Sequence, residues 1–208
     1  MFVVSDSVGE RAVRMARETI EREILAESST DPARAYRDQV LPSEFDEPRG
    51  VFVTLSRHSD GSLRGCIGFP LPVYPLRVAL PRAAWASARE DPRFEPVRKV
   101  DIPRLDVEVS ILTRPVRIPP ALPEDLPGRI VVGRDGLIVE NEGSSGLLLP
   151  QVAPEEGWGP EEFLAATCRK AGLSPTAWKD PRTSVLRFEA EVFHERRPGG
   201  SIERRREN

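Results

Sequence analysis

Apolar residues recur near helical spacing at the start of the chain. Val8, Ala12, Met15, Ile20 and Ile24 fall on one side, and Arg and Glu fill the other. The pattern predicts one amphipathic helix over SVGERAVRMARETIEREILAE, with Ser7 and Glu10 spaced as a capping box. A Pro- and Asp-rich loop follows through DPARAYRDQVLPSEFDEP. The period then changes to two. GVFVTLSR reads as a strand, HSDGS as a turn and LRGCIGF as the return strand, so Cys66 lies on the second arm of a hairpin. YPLRVALPRAAWASARED goes back to helical spacing. Pro75 suits a first turn, whereas Pro81 lacks an N–H and clashes with the turn before it, so a kink or a later helix start is expected. RLDVEVSILT alternates cleanly and places Leu105, Val107, Val109 and Ile111 on one face of a strand.

The second half is less regular. Pro115 to Pro127 is Pro-rich and reads as irregular, and RIVVGRDGLIVEN reads as a hairpin turning at Asp135-Gly136. NEGSSG is a polar loop and GLLLPQVA a short apolar strand. GPEEFLAATCRKAGL is a helix begun by Pro160 and ended near Gly172, with Cys168 on its apolar side. SVLRFEAEVFHE reads as one long alternating strand with Phe188, Ala190 and Val192 turned to the core. RRPGGSIERRREN has the composition of a disordered tail, with Arg204 to Arg206 as its solvated end. Helices and strands mix without the strict alternation of a doubly wound sheet. The expected fold is therefore α+β, a mixed and largely antiparallel sheet with packed helices. It forms one domain over residues 1–195, followed by a charged tail over 196–208.

Composition narrows the classes of function. A chain of 208 residues, 39% hydrophobic and 30% charged, buries a sizeable core without staples. The net charge of -3 and pI of about 5.6 argue against a general nucleic-acid binder. The cations are nearly all Arg, with Lys99, Lys170 and Lys179 as the lysines. This bias fits a genome-wide composition or a hot habitat, and it also supplies planar, bidentate donors. Two cysteines and two histidines build neither a disulfide framework nor a metal site, so no metal and no cofactor is expected. With no export-like N-terminus and no apolar run of roughly 20 residues, a cytoplasmic protein with reduced thiols is expected.

The chemistry centres on LRGCIG. A thiol becomes a useful nucleophile when a neighbour lowers its pKa below about 8.5. Arg64 stands two residues from Cys66, on the same face of a regular strand, and would favour its thiolate. Gly65 and Gly68 remove bulk and would let a ligand or another backbone approach. His58, across the turn, is the nearest histidine to act as base, and Glu108, with Asp106 on the same strand face, is a candidate for acid–base support. Against this stands the simpler reading that Cys66 is a small buried hydrophobe and that the carboxylates form the polar face of a half-exposed strand. Ser144 and Ser145, in a glycine-bearing loop, could cradle an anion with backbone N–H groups, although no P-loop lysine follows. Gln151 could line a pocket. In DPRF, Asp91 is read as ending the preceding helix and Phe94 as anchoring the loop.

The blocks GVFVTLSR, GSLRGCIGF, DPRF, VEVSILT, GRDGLIVE, GLLLPQVA, EEFL followed by CRKAGL, and FEAEVF occur in that order between Gly50 and Glu195. This set resembles the AMMECR (AMME syndrome chromosomal-region) domain family, of which LRGCIG is the hallmark. The resemblance implies an α+β fold with a major and a smaller lobe and the motif near the groove between them. It implies no settled reaction. Related domains occur beside, or fused to, Memo-like and radical-SAM proteins, which implies such partners. The metal chemistry of those partners does not transfer, since this chain lacks the ligands. Two functions are therefore expected. One is a thiol-dependent enzyme, or enzyme component, acting on a small molecule with Cys66 and Arg64. In it His58 and Glu108 give support, and Gly65, Gly68, Ser144, Ser145 and Gln151 bind the ligand. The other is a non-catalytic binding or adaptor module that uses the motif as a rigid contact surface.

Overall fold

The structure is a computed structural model that describes residues 4–26, 31–119 and 123–205. In chain order its helices and strands are α1 (Asp6–Ala26), β1 (Val51–Arg57), β2 (Leu63–Phe69), α2 (Leu76–Arg89), β3 (Leu105–Leu112), β4 (Val116–Arg117), β5 (Gly136–Asn141), β6 (Ser144–Leu148), α3 (Val152–Glu155), α4 (Pro160–Lys170), β7 (Ser184–Phe188), β8 (Ala190–Glu195) and β9 (Ile202–Arg204). The class is α+β. The chain divides into two compact units. One is drawn from the chain up to Leu112 and again from Glu191, and the other is Thr113–Ala190.

The first unit is built on a five-stranded sheet in the order β2-β1-β3-β8-β9. β1 pairs antiparallel with both β2 and β3, as the hairpin reading predicts. Alternation decides which face is covered. Val51, Val53 and Leu55 of β1 and Val107, Val109 and Ile111 of β3 are buried in one cluster with Val8, Ala12 and Met15 of α1 and Leu76, Ala79 and Leu80 of α2. Each such side chain contributes about 1.5–3 kcal/mol by leaving water. α1 begins at Asp6, so Ser7 already lies inside it, and the expected cap at Ser7 moves to Ser5, whose hydroxyl accepts from Val8 N at 3.3 Å. α2 runs unbroken through Pro81. Leu80, Ala83 and Ala84 are fully buried around it, and that burial outweighs the cost of about 3 kcal/mol for the missing hydrogen bond.

A buried ion pair fastens the unit across the length of the chain. Arg17 of α1 and Glu195 of β8 are 7% and 4% exposed, and Arg17 Nε donates to Glu195 Oε1 at 2.9 Å. The remaining donors and acceptors are used as well. Arg17 Nη1 reaches Ile102 O at 3.2 Å, Nη2 reaches Leu105 O at 2.6 Å, and Val107 N donates to Glu195 Oε2 at 3.0 Å. Full satisfaction of this kind is what makes a buried pair tolerable. The expected disordered tail is also revised. Residues 202–204 form β9 on β8; Arg204 stacks on Phe193 at 4.7 Å and bonds Asp6 at 2.9 Å, and Arg205 pairs with Glu108 at 2.7 Å. Arg206 lies outside the described residues.

The second unit carries an antiparallel sheet in the order β4-β7-β5-β6, with α4 packed on it. Leu137, Val139, Phe163, Leu164 and Val185 form its core with Cys168, which is fully buried as expected. α4 starts at Pro160 with Glu162 bonded back to Gly159 N at 3.1 Å, and Gly172 (φ 75°) follows its end. The hairpin turn is not at Asp135-Gly136. It lies at Glu142-Gly143, both with left-handed φ (45° and 88°), which joins β5 to β6 and makes strand of what read as the GSSG loop. Asp135 is fully buried instead and closes its own loop, accepting from Val131 N at 2.9 Å. SVLRFEAEVFHE is two strands rather than one. The break falls at Glu189, where Thr113 N bonds Glu189 O at 2.9 Å and Thr113 Oγ1 accepts from Glu189 N at 2.8 Å. β7 and β8 therefore belong to different sheets, and the inward positions after the break are Phe193 and Glu195, with Ala190 and Val192 only half-buried.

β2 and α2 meet backbone to backbone at Gly65, where a Cβ would stand 2.0 Å from Ser87 O. Ser87 is part of a helix packed on the sheet and has no room to yield. Gly65→Ala is expected to destabilise the chain by about 1–3 kcal/mol, whereas Gly128→Ala, whose Cβ would meet nothing within 4 Å, should stay near the parent value. Urea unfolding of the full chain checks both.

Candidate functional site

β2 is the edge strand of its sheet, so the outward N–H and C=O of each alternate residue need a partner. At Cys66 the DPRF segment supplies both. Cys66 N donates to Asp91 Oδ2 at 2.8 Å, and Arg93 Nη2 donates to Cys66 O at 3.3 Å. Asp91 and Arg93 are locked together in turn. Arg93 Nε reaches Oδ1 at 2.9 Å, Nη2 reaches Oδ2 at 2.7 Å, and Arg93 N reaches Oδ1 at 3.1 Å. Asp91 is 5% exposed. Hydrogen bonds from the Arg93 guanidinium, then from Cys66 N and Arg93 N, hold its carboxyl far below the usual carboxylate range despite burial. The segment therefore acts as a short substitute for a neighbouring strand.

Cys66 itself is half-buried. Across the sheet it lies opposite Thr54, which lies opposite Glu108, so the three form one row on the face away from the helices. Thr54 Oγ1 donates to Cys66 Sγ at 3.3 Å. Burial pushes the thiol up, and the charges of Asp91 and Glu108 push it the same way; the Thr54 hydrogen bond and the Arg93 charge offset this only in part. The cation that acts on the sulfur is thus Arg93 and not Arg64. His58 is engaged elsewhere: its Nδ1 lies 2.9 Å from Asp106 Oδ2. The two carboxylates read as a pair take separate partners, Asp106 with His58 and Glu108 with Arg205 at 2.7 Å. Gly65 and Gly68 face this chain's own backbone, with Ser87 O and Val51 O at 2.0 and 2.2 Å from a notional Cβ, so that space is filled.

Arg64 belongs to a different feature of the same unit. It lines a cleft of about 870 Å³ whose wall includes Arg57, His58, Arg93, Phe94, Arg98, Asp101 and Arg104. The topology makes this cluster. β1 runs antiparallel to β3 with Arg57 opposite Leu105, which brings Arg104 beside the end of the hairpin, and His58 N bonds Arg104 O at 2.9 Å. Asp101 accepts from Arg98 N at 2.9 Å and from Arg98 Nε at 3.4 Å. Those bonds, with the charges of Arg98 and Arg64, hold the Asp101 carboxyl low although burial works against them. Sequence reasoning missed the cleft. Its signal was the clustering of arginines at strand ends, in SRH before the turn and in RKVDIPR before β3.

The remaining expected ligand residues lie in the second unit. Ser144 and Ser145 start β6 and border a shallow pocket with Asn141, Glu142 and Arg182. Gln151 is exposed and stands at the N-terminus of α3, where its side chain makes no capping bond. Among the described residues no group of three or more His, Cys, Asp or Glu is placed to hold a metal ion, and no helix is long and apolar enough to cross a membrane.

The Asp91 geometry predicts a pH-dependent substitution effect. Asp91→Asn turns an amide donor toward the Arg93 guanidinium and is expected to cost about 2 kcal/mol at pH 7. The folded carboxyl titrates below its unfolded value, so its contribution is complete above the ordinary carboxylate range of about pH 4 and is lost as the pH falls through the lower folded value. The stability gap between parent and variant should therefore be full at pH 7 and narrow below pH ~4, measured by denaturant unfolding across that range.

A sequence profile described as AMMECR1 matches residues 13–193. A protein of Thermococcus gammatolerans is 50% identical over 208 residues, covering 99% of this chain and 98% of its own, and one of Methanothermobacter thermautotrophicus is 49% identical over 192 residues, covering 92% and 96%. The crystal structure of the uncharacterised protein PH0010 from Pyrococcus horikoshii superposes with a TM-score of 0.85 at 49% identity, covering 98% of this chain and 99% of that one. Together with LRGCIG on its hairpin, these matches place the chain in the AMMECR1 family.

Proposed function

We propose that the chain is a binding module in which the LRGCIG hairpin serves as a rigid recognition surface, and that Cys66 is part of its architecture rather than a nucleophile. The observation that carries this reading is the setting of the thiol. Its pKa is raised rather than lowered, its sulfur accepts a hydrogen bond from Thr54, and the nearest histidine is held by Asp106. A nucleophilic cysteine needs the opposite arrangement, a stabilised thiolate with a base in reach. The rigidity has an equally direct basis, since the motif is held by β1 on one side, by Asp91 and Arg93 on the other and by Ser87 behind Gly65. Memo-like and radical-SAM proteins, the partners implied by the family resemblance, are the proteins that such a surface would serve.

The test is the rate of Cys66 alkylation against pH in a Cys168→Ala background. The expected rate is slow at neutral pH and keeps rising beyond the ordinary thiol range of about 8.5. A plateau well below that pH would mean a stabilised thiolate and overturn the reading.

A further inference from the structure

Arg64 is a largely covered charged group without an ion-pair partner among the described residues. The residue is 8% exposed, yet among the described residues its guanidinium makes no hydrogen bond and no ion pair. Asp101 lies close enough for its proton affinity to respond to Arg64, but its carboxylate is bonded to Arg98. None of its nitrogens is sealed from solvent, so the mostly covered side chain presents an open, unpaired guanidinium to whatever enters the space in front of it. What it faces is the cleft of about 870 Å³.

The cleft has a sign. Its wall carries five arginines, Arg57, Arg64, Arg93, Arg98 and Arg104, against the carboxylates of Glu95 and Asp101. Arg93 and Arg98 are paired with Asp91 and Asp101. Arg57, Arg64 and Arg104 have no carboxylate within ion-pair distance among the described residues, and Arg57 donates only to the neutral Ser62 hydroxyl at 3.1 Å. Three unneutralised guanidinium groups in one concavity suit a dianion with tetrahedral oxygens, because each planar fork can take two of them. The cleft is also too large for a free inorganic ion and falls in the range that holds small organic ligands. Phe94, Pro96, Pro103 and Leu105 supply the apolar wall that the body of such a ligand needs.

We infer that this cleft binds a phosphorylated small organic molecule, with Arg64 anchoring the phosphate, Arg57 and Arg104 completing its charge, and Phe94 against the organic part. The inference rests on the binding-module reading above and supplies its ligand class. It also gives the LRGC segment a concrete task. The clamp of Asp91 and Arg93 on Cys66 fixes the strand two residues from Arg64, so the guanidinium is positioned before the ligand arrives. Preorganisation of this kind reduces the ordering cost of binding.

The experiment is an NMR titration of the full ¹⁵N-labelled chain with phenyl phosphate, and separately with inorganic phosphate. Saturable shifts are expected at Arg64, Phe94, Asp101 and Arg104, with phenyl phosphate bound about tenfold more tightly than inorganic phosphate because the ring is also held. Arg64→Gln should weaken phenyl phosphate by about tenfold or more. Arg104→Gln, at an exposed position whose side chain makes no hydrogen bond or ion pair among the described residues, should weaken it severalfold and serves as the readout if Arg64→Gln fails to fold. Absence of saturable shifts at these residues, or affinity unchanged in the folded variants, would overturn the inference. A low-pH plateau in Cys66 alkylation overturns the binding-module reading whether or not phosphate binds. An inert thiol with no phenyl phosphate binding overturns the present inference alone.

Discussion

The carboxylate of Asp91 is the constraint on which this site depends. It takes one hydrogen bond from the edge strand and three from Arg93, and Arg93 returns one to the same strand. An edge strand without such a partner leaves a row of backbone groups to water or to another chain. Here three residues of separated sequence, Cys66 with Asp91 and Arg93, become one hydrogen-bonded unit. The consequence reaches past Cys66, because the same clamp that satisfies its peptide groups leaves Arg93 on the wall of the cleft and Arg64 facing into it. The motif completes a sheet edge beside a concave surface lined by several arginines.

Much of this fold was legible in the residues, and for a consistent reason. Where a segment buries one face against one neighbour, the period of its apolar residues states its structure. That holds for α1, for the β1–β2 hairpin, for Leu105, Val107, Val109 and Ile111 on β3, and for α4 between Pro160 and Gly172. Legibility ends where the partner is distant. Nothing in the local pattern marks Glu195 as buried, and it is the arrival of Arg17 across a sequence separation of 178 residues that makes it so. The tail reads as disordered by composition, and becomes β9 because β8 offers an open edge and Arg204 finds the Phe193 ring and Asp6. SVLRFEAEVFHE alternates without interruption, but a period of two cannot say that the chain changes sheets at Glu189.

The same division applies to the site. Period two put Arg64 and Cys66 on one strand face, and that is all a spacing argument contains. It says nothing about which charge acts on the sulfur. The structure answers through Arg93, in the DPRF segment whose Phe94 is read as anchoring the loop. His58 is near Cys66 in sequence, but its Nδ1 lies against Asp106 on the neighbouring strand β3. Proximity in sequence is weak evidence for a catalytic pair when several carboxylates compete for each cation.

Net charge misleads in a parallel way. A chain at -3 overall does not advertise an anion site, and the even mixture of Arg with Asp and Glu along the sequence suggests that each cation is answered locally. Most are: Arg93, Arg98, Arg134, Arg182 and Arg204 all have carboxylates within ion-pair distance. That general rule is what makes Arg64 informative. In a fold that pairs most of its arginines, a largely covered one without a partner among the described residues, on the wall of a cleft shared with Arg57 and Arg104, is the feature on which the proposed anion site rests.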